Sequence, residues 1–122
     1  MNIAQLRDFC INKKGVTEHF PFDNTTLVFK VMDKMFALTN LSKWEQGEAS
    51  INLKCNPEKA LELREIYEGV KPGFHMNKKH WNTLAINTSD VSDDLVFQLV
   101  GHSYNLVVSG LAKKVKIELA NL

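Results

Sequence analysis

The sequence lacks the features that would identify a membrane protein or an exported one. No apolar run approaches the roughly 18–20 residues that a membrane-spanning helix needs, and the N-terminal stretch MNIAQLRDFCINKK is too polar for the core of a signal peptide. The only two cysteines, Cys10 and Cys55, have neither CxxC spacing nor neighbouring histidines. Both fall at apolar positions, which is typical of buried free thiols in a reducing compartment, with a disulfide as the alternative. We therefore expect a cytoplasmic protein without membrane attachment.

Motifs of enzymes and metal sites are also missing. The chain has no glycine-rich phosphate loop, no G-x-S-x-G elbow and no HExxH sequence. His75 and His80 have no third ligand nearby, which argues against zinc. The acidic face of Glu58, Glu62 and Glu65 is typical of a solvated helix surface rather than of a cation site. We expect no catalytic residues, no metal and no cofactor.

Length and charge set a second limit. With 122 residues, 44% of them hydrophobic and 24% charged, the chain fits one globular domain, residues 1–122, which we expect to be monomeric. The net charge is only +1, and Arg7 and Arg64 are the only arginines. Proteins dominated by affinity for nucleic acid often have a pI above about 9. Any attraction for a polyanion must therefore depend on where the charges lie.

The charges are uneven in residues 69–84, GVKPGFHMNKKHWNTL, which we call the basic-aromatic segment. No carboxylate occurs between Gly69 and Ser89. The segment holds three lysines and two histidines, interleaved with two aromatic rings: Lys71, Lys78, Lys79, His75, His80, Phe74 and Trp81. Pro72-Gly73 predicts a type II turn, because glycine accepts the positive φ that this turn needs. An acid-free segment of this composition indicates a binding surface.

Periodicity and capping residues predict the surrounding elements. Helices are expected at residues 2–12, from Asn56-Pro57 to Gly69, and from Ser92 onward. Strands or extended stretches are expected at residues 16–23, 25–32, 35–39, 50–55 and 81–87. Residues 25–39 form a hairpin with its bend at Asp33-Lys34, and apolar residues on both faces of its first strand predict a sheet packed on one face and partly covered on the other. Residues 41–49 are predicted to form a loop, and no secondary structure is predicted for the tail from residue 112.

Five stretches in this order resemble one family: FPF at residues 20–22, VFKVMDKMFAL at 28–38, INLKCNPEKALELR at 51–64, PGFHMNKKHWNTL at 72–84 and SYNLVVSGL at 103–111. Together they resemble the MmcQ/YjbR family of small bacterial proteins over nearly the whole chain. KCNP followed by PGFHMNK and Trp81 is the most specific part. Asp33-Lys34 departs from the pattern, since a glycine is expected at the bend. The resemblance implies an α+β fold, an antiparallel sheet backed by helices in a CyaY-like (frataxin-like) arrangement.

The family is commonly described as DNA-binding, so the resemblance implies DNA as a partner. Its positions with exposed chemistry fall here on Lys30, Lys54, His75, Asn77, Lys78 and Trp81. The predicted binding set leaves out Lys30 and includes all three lysines of the basic-aromatic segment: Lys54, Lys71, His75, Asn77, Lys78, Lys79 and Trp81. The lysines would contact phosphates, Trp81 or Phe74 would stack on a base, and Asn77 would donate a hydrogen bond.

The shortage of arginine predicts weak and mostly sequence-independent binding, because arginine has the fork geometry that reads guanine. The alternative is that the same residues surround a small anionic ligand or a protein partner. Geometry separates these readings: a broad basic strip favours nucleic acid, and a concave pocket favours a small ligand. For Trp81, a place in the core is the competing interpretation.

Overall fold

A computed structural model describes all residues, 1–122, as six strands and five helices. The helices are α1 (Ile3–Ile11), α2 (Leu41–Glu45), α3 (Pro57–Ile66), α4 (Asp93–Ser109) and α5 (Lys113–Ala120). The strands are β1 (Val16–His19), β2 (Thr26–Val31), β3 (Lys34–Asn40), β4 (Ser50–Lys54), β5 (Val70–Pro72) and β6 (Trp81–Ala85). None of the five helices combines the length and the apolar character that crossing a bilayer requires.

The strands form one sheet in the order β1-β2-β3-β4-β6-β5, and every neighbouring pair is antiparallel. In the centre of the sheet β4 pairs with β6, so that Ile51 lies opposite Leu84 and Lys54 lies opposite Trp81. The expected α+β class, an antiparallel sheet backed by helices, is confirmed.

The helices cover only one face of this sheet. Side chains at alternate strand positions, among them Leu27, Phe29, Ile51, Leu53 and Leu84, are buried in one core with residues of α1, α3, α4 and α5. The opposite face, which we call the open face, has a small apolar cluster of Val28, Leu38 and Trp81. Met35 and Met76 partly cover that cluster. The sequence prediction of one packed face and one partly covered face is thus confirmed.

The predicted helix starts are correct because polar side chains cap them. Asn2 Oδ1 accepts a hydrogen bond of 2.8 Å from the Gln5 amide, and the Ser92 hydroxyl accepts one of 3.1 Å from the Leu95 amide. Asn56 caps α3 in the same way, and Pro57 follows as its first residue. Each cap satisfies an amide that the helix leaves without an internal partner.

The bend of the hairpin lies one residue earlier than predicted. Val31 pairs with Lys34, so Met32 and Asp33 are the two central residues, with φ of 48° and 69°. Positive φ at both positions is the geometry of a type I′ turn, whose twist matches that of the flanking strands. Met32 packs partly against the core on the helix-covered side, which favours this conformation although the residue lacks the freedom of glycine.

Three further elements differ from the sequence prediction. Residues 41–49 include the short helix α2, which Asn40 caps through bonds to the Ser42 and Lys43 amides. The basic-aromatic segment begins with β5, an edge strand of only three residues, too short to show a periodic pattern. Part of the tail forms α5, which buries Leu119.

A buried hydroxyl joins the longest helix to the sheet. Ser103 in α4 is fully buried, and its Oγ donates to the Phe36 carbonyl at 2.6 Å and accepts from the Lys54 amide at 2.9 Å. The sequence placed Ser103 on the inward face of its helix, and this contact is the consequence. It satisfies backbone groups of β3 and β4 that face a helix instead of another strand.

We expect Ser103→Ala to destabilise the protein by about 1–3 kcal/mol, because it leaves a buried amide and a buried carbonyl without partners. Urea unfolding measures this change in the free energy of unfolding. Ser109→Ala is the matched control, since the exposed Ser109 hydroxyl bonds only to the Leu106 carbonyl of its own helix. The control should change stability by less than about 0.5 kcal/mol. Equal losses in both variants would contradict the role given to Ser103.

Candidate binding site on the open face

The open face is cationic along its strands. The alternation of side chains along each strand places four basic residues on this face: His19, Lys30, Lys54 and Lys71. Their partners on the neighbouring strands include Val28, Trp81 and Thr83. The strands contain one carboxylate, Glu18, which lies on the other face and accepts two hydrogen bonds from Arg7 at 2.6 and 2.8 Å. None of the three lysines forms an ion pair. We call Lys30, Lys54 and Lys71 the lysine strip.

Trp81 is not available for stacking on a base. Its side chain is only 8% exposed and packs against Val28 and Leu38 as the first residue of β6. The interpretation of Trp81 as a core residue is therefore the correct one. Its side chain fills the centre of the open face, against Val28 of β2 and Leu38 of β3.

Asn77 and Lys78 hold the basic-aromatic segment together. The Asn77 side chain accepts from the Lys79 amide at 3.0 Å, and its carbonyl accepts from the Trp81 amide at 3.0 Å. Lys78 Nζ donates to the Gly73 carbonyl at 2.9 Å. Lys79 and His75 are exposed. The predicted binding set therefore divides into residues used by the fold and residues free to meet a ligand.

Arg64, which sequence reasoning did not place in the site, fixes the same segment from α3. Its Nε donates to Asn82 Oδ1 at 2.7 Å, and its Nη2 donates to the carbonyls of Lys78 and Trp81. These contacts use the planar donor fork of the guanidinium. No signal in the sequence marks this contact, since it joins residues that are distant along the chain.

Gly73 is required by close approach, not by a type II turn. Its φ is not positive, unlike those of Gly15 and Gly47, so the expected turn is wrong. The Gly73 amide donates to the Trp81 carbonyl at 2.8 Å, and a Cβ at Gly73 would lie 2.6 Å from Trp81 Cβ. The backbone of the segment thus lies directly against Trp81. Positive φ occurs instead at His75, with a value of 60°.

A groove of about 670 Å³ occupies the end of the open face away from Lys30 and Lys54. Its floor consists of residues of β2, β3, β4 and β6, and its margins are Phe22-Asp23 and Phe74-His75-Met76. Its volume lies in the range of small-molecule sites. The polar side chains of its floor include those of Thr26, Asn40, Ser50, Asn52 and Thr83.

Two polar side chains anchor the Phe74 margin. The Thr83 hydroxyl accepts from the Phe74 amide at 2.9 Å and donates to Asn52 Oδ1 at 2.5 Å, while Asn52 Nδ2 donates to the Phe74 carbonyl at 3.0 Å. Both backbone groups of Phe74 are therefore held by the sheet. The ring itself is 66% exposed. Asn52 and Thr83 are groove residues that sequence reasoning missed.

Asp23 anchors the other margin. Its Oδ1 accepts from the amides of Thr25 and Thr26 at 2.9 and 2.6 Å, and its Oδ2 accepts from the Thr26 hydroxyl at 3.1 Å. The Thr25 amide bond, followed by that from Thr26, lowers the pKa of this carboxyl below its ordinary value. Phe22 beside it is 64% exposed. The FPF motif was the only sequence signal for this margin.

The groove is polar but not basic. Lys43 at its margin forms an ion pair of 3.2 Å with Glu48, and Asp23 adds a second carboxylate. Of the predicted binding set only His75 lines it. No group of three or more histidine, cysteine, aspartate or glutamate side chains is placed to hold a metal ion.

The chain has known relatives along its full length. Residues 11–106 match the sequence model of the YjbR family. This chain belongs to the YjbR family. It is similar to YjbR of Escherichia coli K12, with 31% identity over the full length of both chains. It is also similar to YbdF of Escherichia coli O157:H7, with 42% identity over 95 residues, which are 78% of this chain and 75% of YbdF.

Solved structures of similar proteins show the same fold. The crystal structure of the Deinococcus radiodurans protein DR2400, a DUF419 domain, matches with a TM-score of 0.88 and 37% identity over 98% of this chain and 88% of that chain. The crystal structure of a Pseudomonas syringae protein matches with a TM-score of 0.71 and 28% identity, covering 87% of this chain and 98% of that chain. Family and fold are thus established, and the function must be argued from the site.

We expect Gly73→Ala to destabilise the YjbR-family fold by about 1–3 kcal/mol, because the added methyl group overlaps Trp81. Thermal unfolding gives the measurement. Gly101→Ala is the control: Gly101 lies inside α4, and the nearest atom to its added Cβ is Lys13 Nζ at 3.9 Å. That variant should gain about 0.5–1 kcal/mol, since alanine is the better helix residue. Stabilisation by Gly73→Ala would contradict the close approach.

The Asp23 margin should depend on pH. A carboxyl whose pKa is lowered by folding stabilises the folded arrangement above its ordinary pKa of 3.8, and that contribution is lost as pH falls through the lowered value. We expect the NMR amide signals of Thr25 and Thr26 to shift with a midpoint below pH 3.8. Asp23→Asn keeps an oxygen acceptor but does not titrate, so its signals should stay constant there. A wild-type midpoint at or above 3.8 would contradict the assigned hydrogen bonds.

Proposed function

We propose that this protein binds nucleic acid, weakly and mostly without sequence specificity, through the lysine strip of the open face. The observation that carries the proposal is the separation of charge. The only carboxylate in the strands is Glu18, which faces the helix-covered side with Arg7. The carboxylates of the open face, Asp23 and Glu48, lie at the groove and not beside Lys30 and Lys54. A chain with a net charge of only +1 thereby presents strands that are cationic on one face.

The available side chains favour phosphate contacts over reading of base edges. Lysine acts as a point charge toward phosphate, and each contact releases counterions, so affinity falls with salt. Both arginines are used inside the protein, Arg7 on Glu18 and Arg64 on Asn82. The open face therefore lacks the fork that pairs with guanine. This supports binding that depends little on sequence.

The groove supports a second candidate, a module for a small ligand, because it is the concave pocket that this reading requires. Its charges do not favour an anion, since Asp23 is a carboxylate and Lys43, the only lysine that lines the groove, is paired with Glu48. Anionic groups are better matched by the lysine strip. We therefore assign phosphate binding to the lysine strip and not to the groove.

The proposal includes a monomeric protein of the cytoplasm with a CyaY-like (frataxin-like) arrangement. The antiparallel sheet with helices on one face supports the fold assignment. Cys10 and Cys55 are buried free thiols, and burial raises the pKa of Cys10 to about 12. A thiol held in its neutral form reacts slowly, which suits a reducing compartment.

We expect the double variant Lys54→Ala, Lys71→Ala to bind a short DNA duplex more weakly than the wild type. Two lost phosphate contacts should flatten the slope of log affinity against log salt concentration by about 1.8. Fluorescence anisotropy of labelled duplex at several salt concentrations gives both numbers. The control is the double variant Lys113→Ala, Lys114→Ala, which removes the same charge from exposed positions of α5. Equal effects of the two double variants would show attraction to net charge and would overturn the proposed surface.

A further inference from the structure

The groove carries features that the lysine strip does not explain. Phe22 and Phe74 lie at its two margins with 64% and 66% of their surface exposed; the backbone of Phe74 is held by the sheet, and Phe22 directly precedes the anchored Asp23. Asp23 fixes one margin and the Asn52–Thr83 pair fixes the other. Exposed apolar rings on anchored backbone are available for contact with a ligand. Phe22 lies in the connection that precedes β2, and Phe74 lies in the connection between β5 and β6.

Between these rings the groove offers hydrogen-bonding groups that the protein leaves free. Asn40 Oδ1 caps α2 through the Ser42 amide, which fixes the side chain, while its Nδ2 has no partner in the protein. The Ser50 hydroxyl lines the same floor and also has no protein partner. The groove therefore combines flat apolar surface with an amide donor and a hydroxyl on its floor.

The charges at the groove exclude most other ligand classes. Asp23 and Glu48 disfavour an anionic group inside it, and the Lys43 ammonium is already paired with Glu48. A purely apolar group would leave Asn40 and Ser50 without partners once water is displaced. The group that fits is neutral and planar, with hydrogen-bonding atoms on its edge.

We propose that the groove binds a nucleobase, which stacks on Phe74 or Phe22 while Asn40 Nδ2 and the Ser50 hydroxyl contact its edge. Within a nucleic acid this must be an unpaired base, because a paired base has its edge occupied and its faces stacked. The part of this inference that concerns a nucleic-acid strand rests on the proposed function, since the lysine strip would hold the phosphates of that strand. It predicts a preference for single strands over duplex, and the same chemistry is present in a free nucleotide.

The first experiment compares a labelled 12-nucleotide single strand with the corresponding duplex by fluorescence anisotropy. We expect the wild type to bind the single strand at least about tenfold more tightly, in line with the contribution of one stacked base. The double variant Phe22→Ala, Phe74→Ala should lose this preference and keep its affinity for duplex. Leu61→Ala, a loss of an exposed apolar side chain on α3, is the control and should keep it.

A second experiment tests the groove without the strip, by NMR titration with adenosine 5′-monophosphate. Shifts at Asn40, Ser50 and Phe74 that persist in Lys54→Ala, Lys71→Ala would support the groove as a nucleobase site. Asn40→Asp keeps the helix cap but replaces the amide donor with a carboxylate, so it should weaken these shifts at unchanged melting temperature.

The outcomes separate the two proposals. Equal binding of single strand and duplex, with no effect of the phenylalanine variant and no nucleotide shifts, overturns the groove and leaves the lysine strip standing. Nucleotide shifts in the groove without binding of either DNA overturn the strip and support the groove as a site for free nucleotide. Absence of binding in every arm overturns both.

Discussion

One-sided packing is the constraint on which the rest of the structure depends. Helices α1, α3, α4 and α5 bury their apolar residues against a single face of the sheet, and Ser103 joins the longest of them to β3 and β4. The other face must then satisfy its own apolar and polar groups without a covering layer. In the middle of that face Trp81, Val28 and Leu38 bury their apolar side chains against one another, and the Gly73–His80 loop lies beside them. Charged and polar residues at the two ends of that face therefore remain in contact with solvent.

Several polar residues of the basic-aromatic segment that look functional in the sequence serve to hold the segment in place. A loop without regular structure still has backbone groups to satisfy. Here Lys78 bonds to the Gly73 carbonyl, Asn77 closes a turn, and Arg64 donates to two carbonyls from α3. These polar side chains therefore stabilise the site instead of contacting a ligand. Lys79 stays exposed in the loop, and the other free lysines of the open face lie at strand positions, where the ladder already satisfies the backbone.

Much of the fold could be predicted because its signals are local. Caps at Asn2, Asn56 and Ser92 and the alternation in β2 and β4 each depend on a few neighbouring residues. The type I′ turn at Met32-Asp33 was missed because its sequence lacks glycine, and β5 because three residues show no period. The groove could not be predicted at all. Asn52, Thr83 and Phe74 are separated along the chain, and only the pairing of β4 with β6 brings them together.

The distance between groove and strip limits what ligand can use both. Ser50 and Lys54 are the two ends of β4, and Thr26 and Lys30 have the same separation in β2, which is about 13 Å in each strand. Lys71 lies closer, because it pairs with Thr83 on the groove floor. The separation from Lys30 and Lys54 exceeds the distance from a base to its own phosphate, so a mononucleotide in the groove cannot also contact those two lysines. A strand of several nucleotides can do so, with one base in the groove and later phosphates at the lysines. Joining the two contacts in one ligand makes the second contact intramolecular and raises affinity without any new interaction. The two proposed contacts on one uncovered face therefore match an extended single strand better than a mononucleotide.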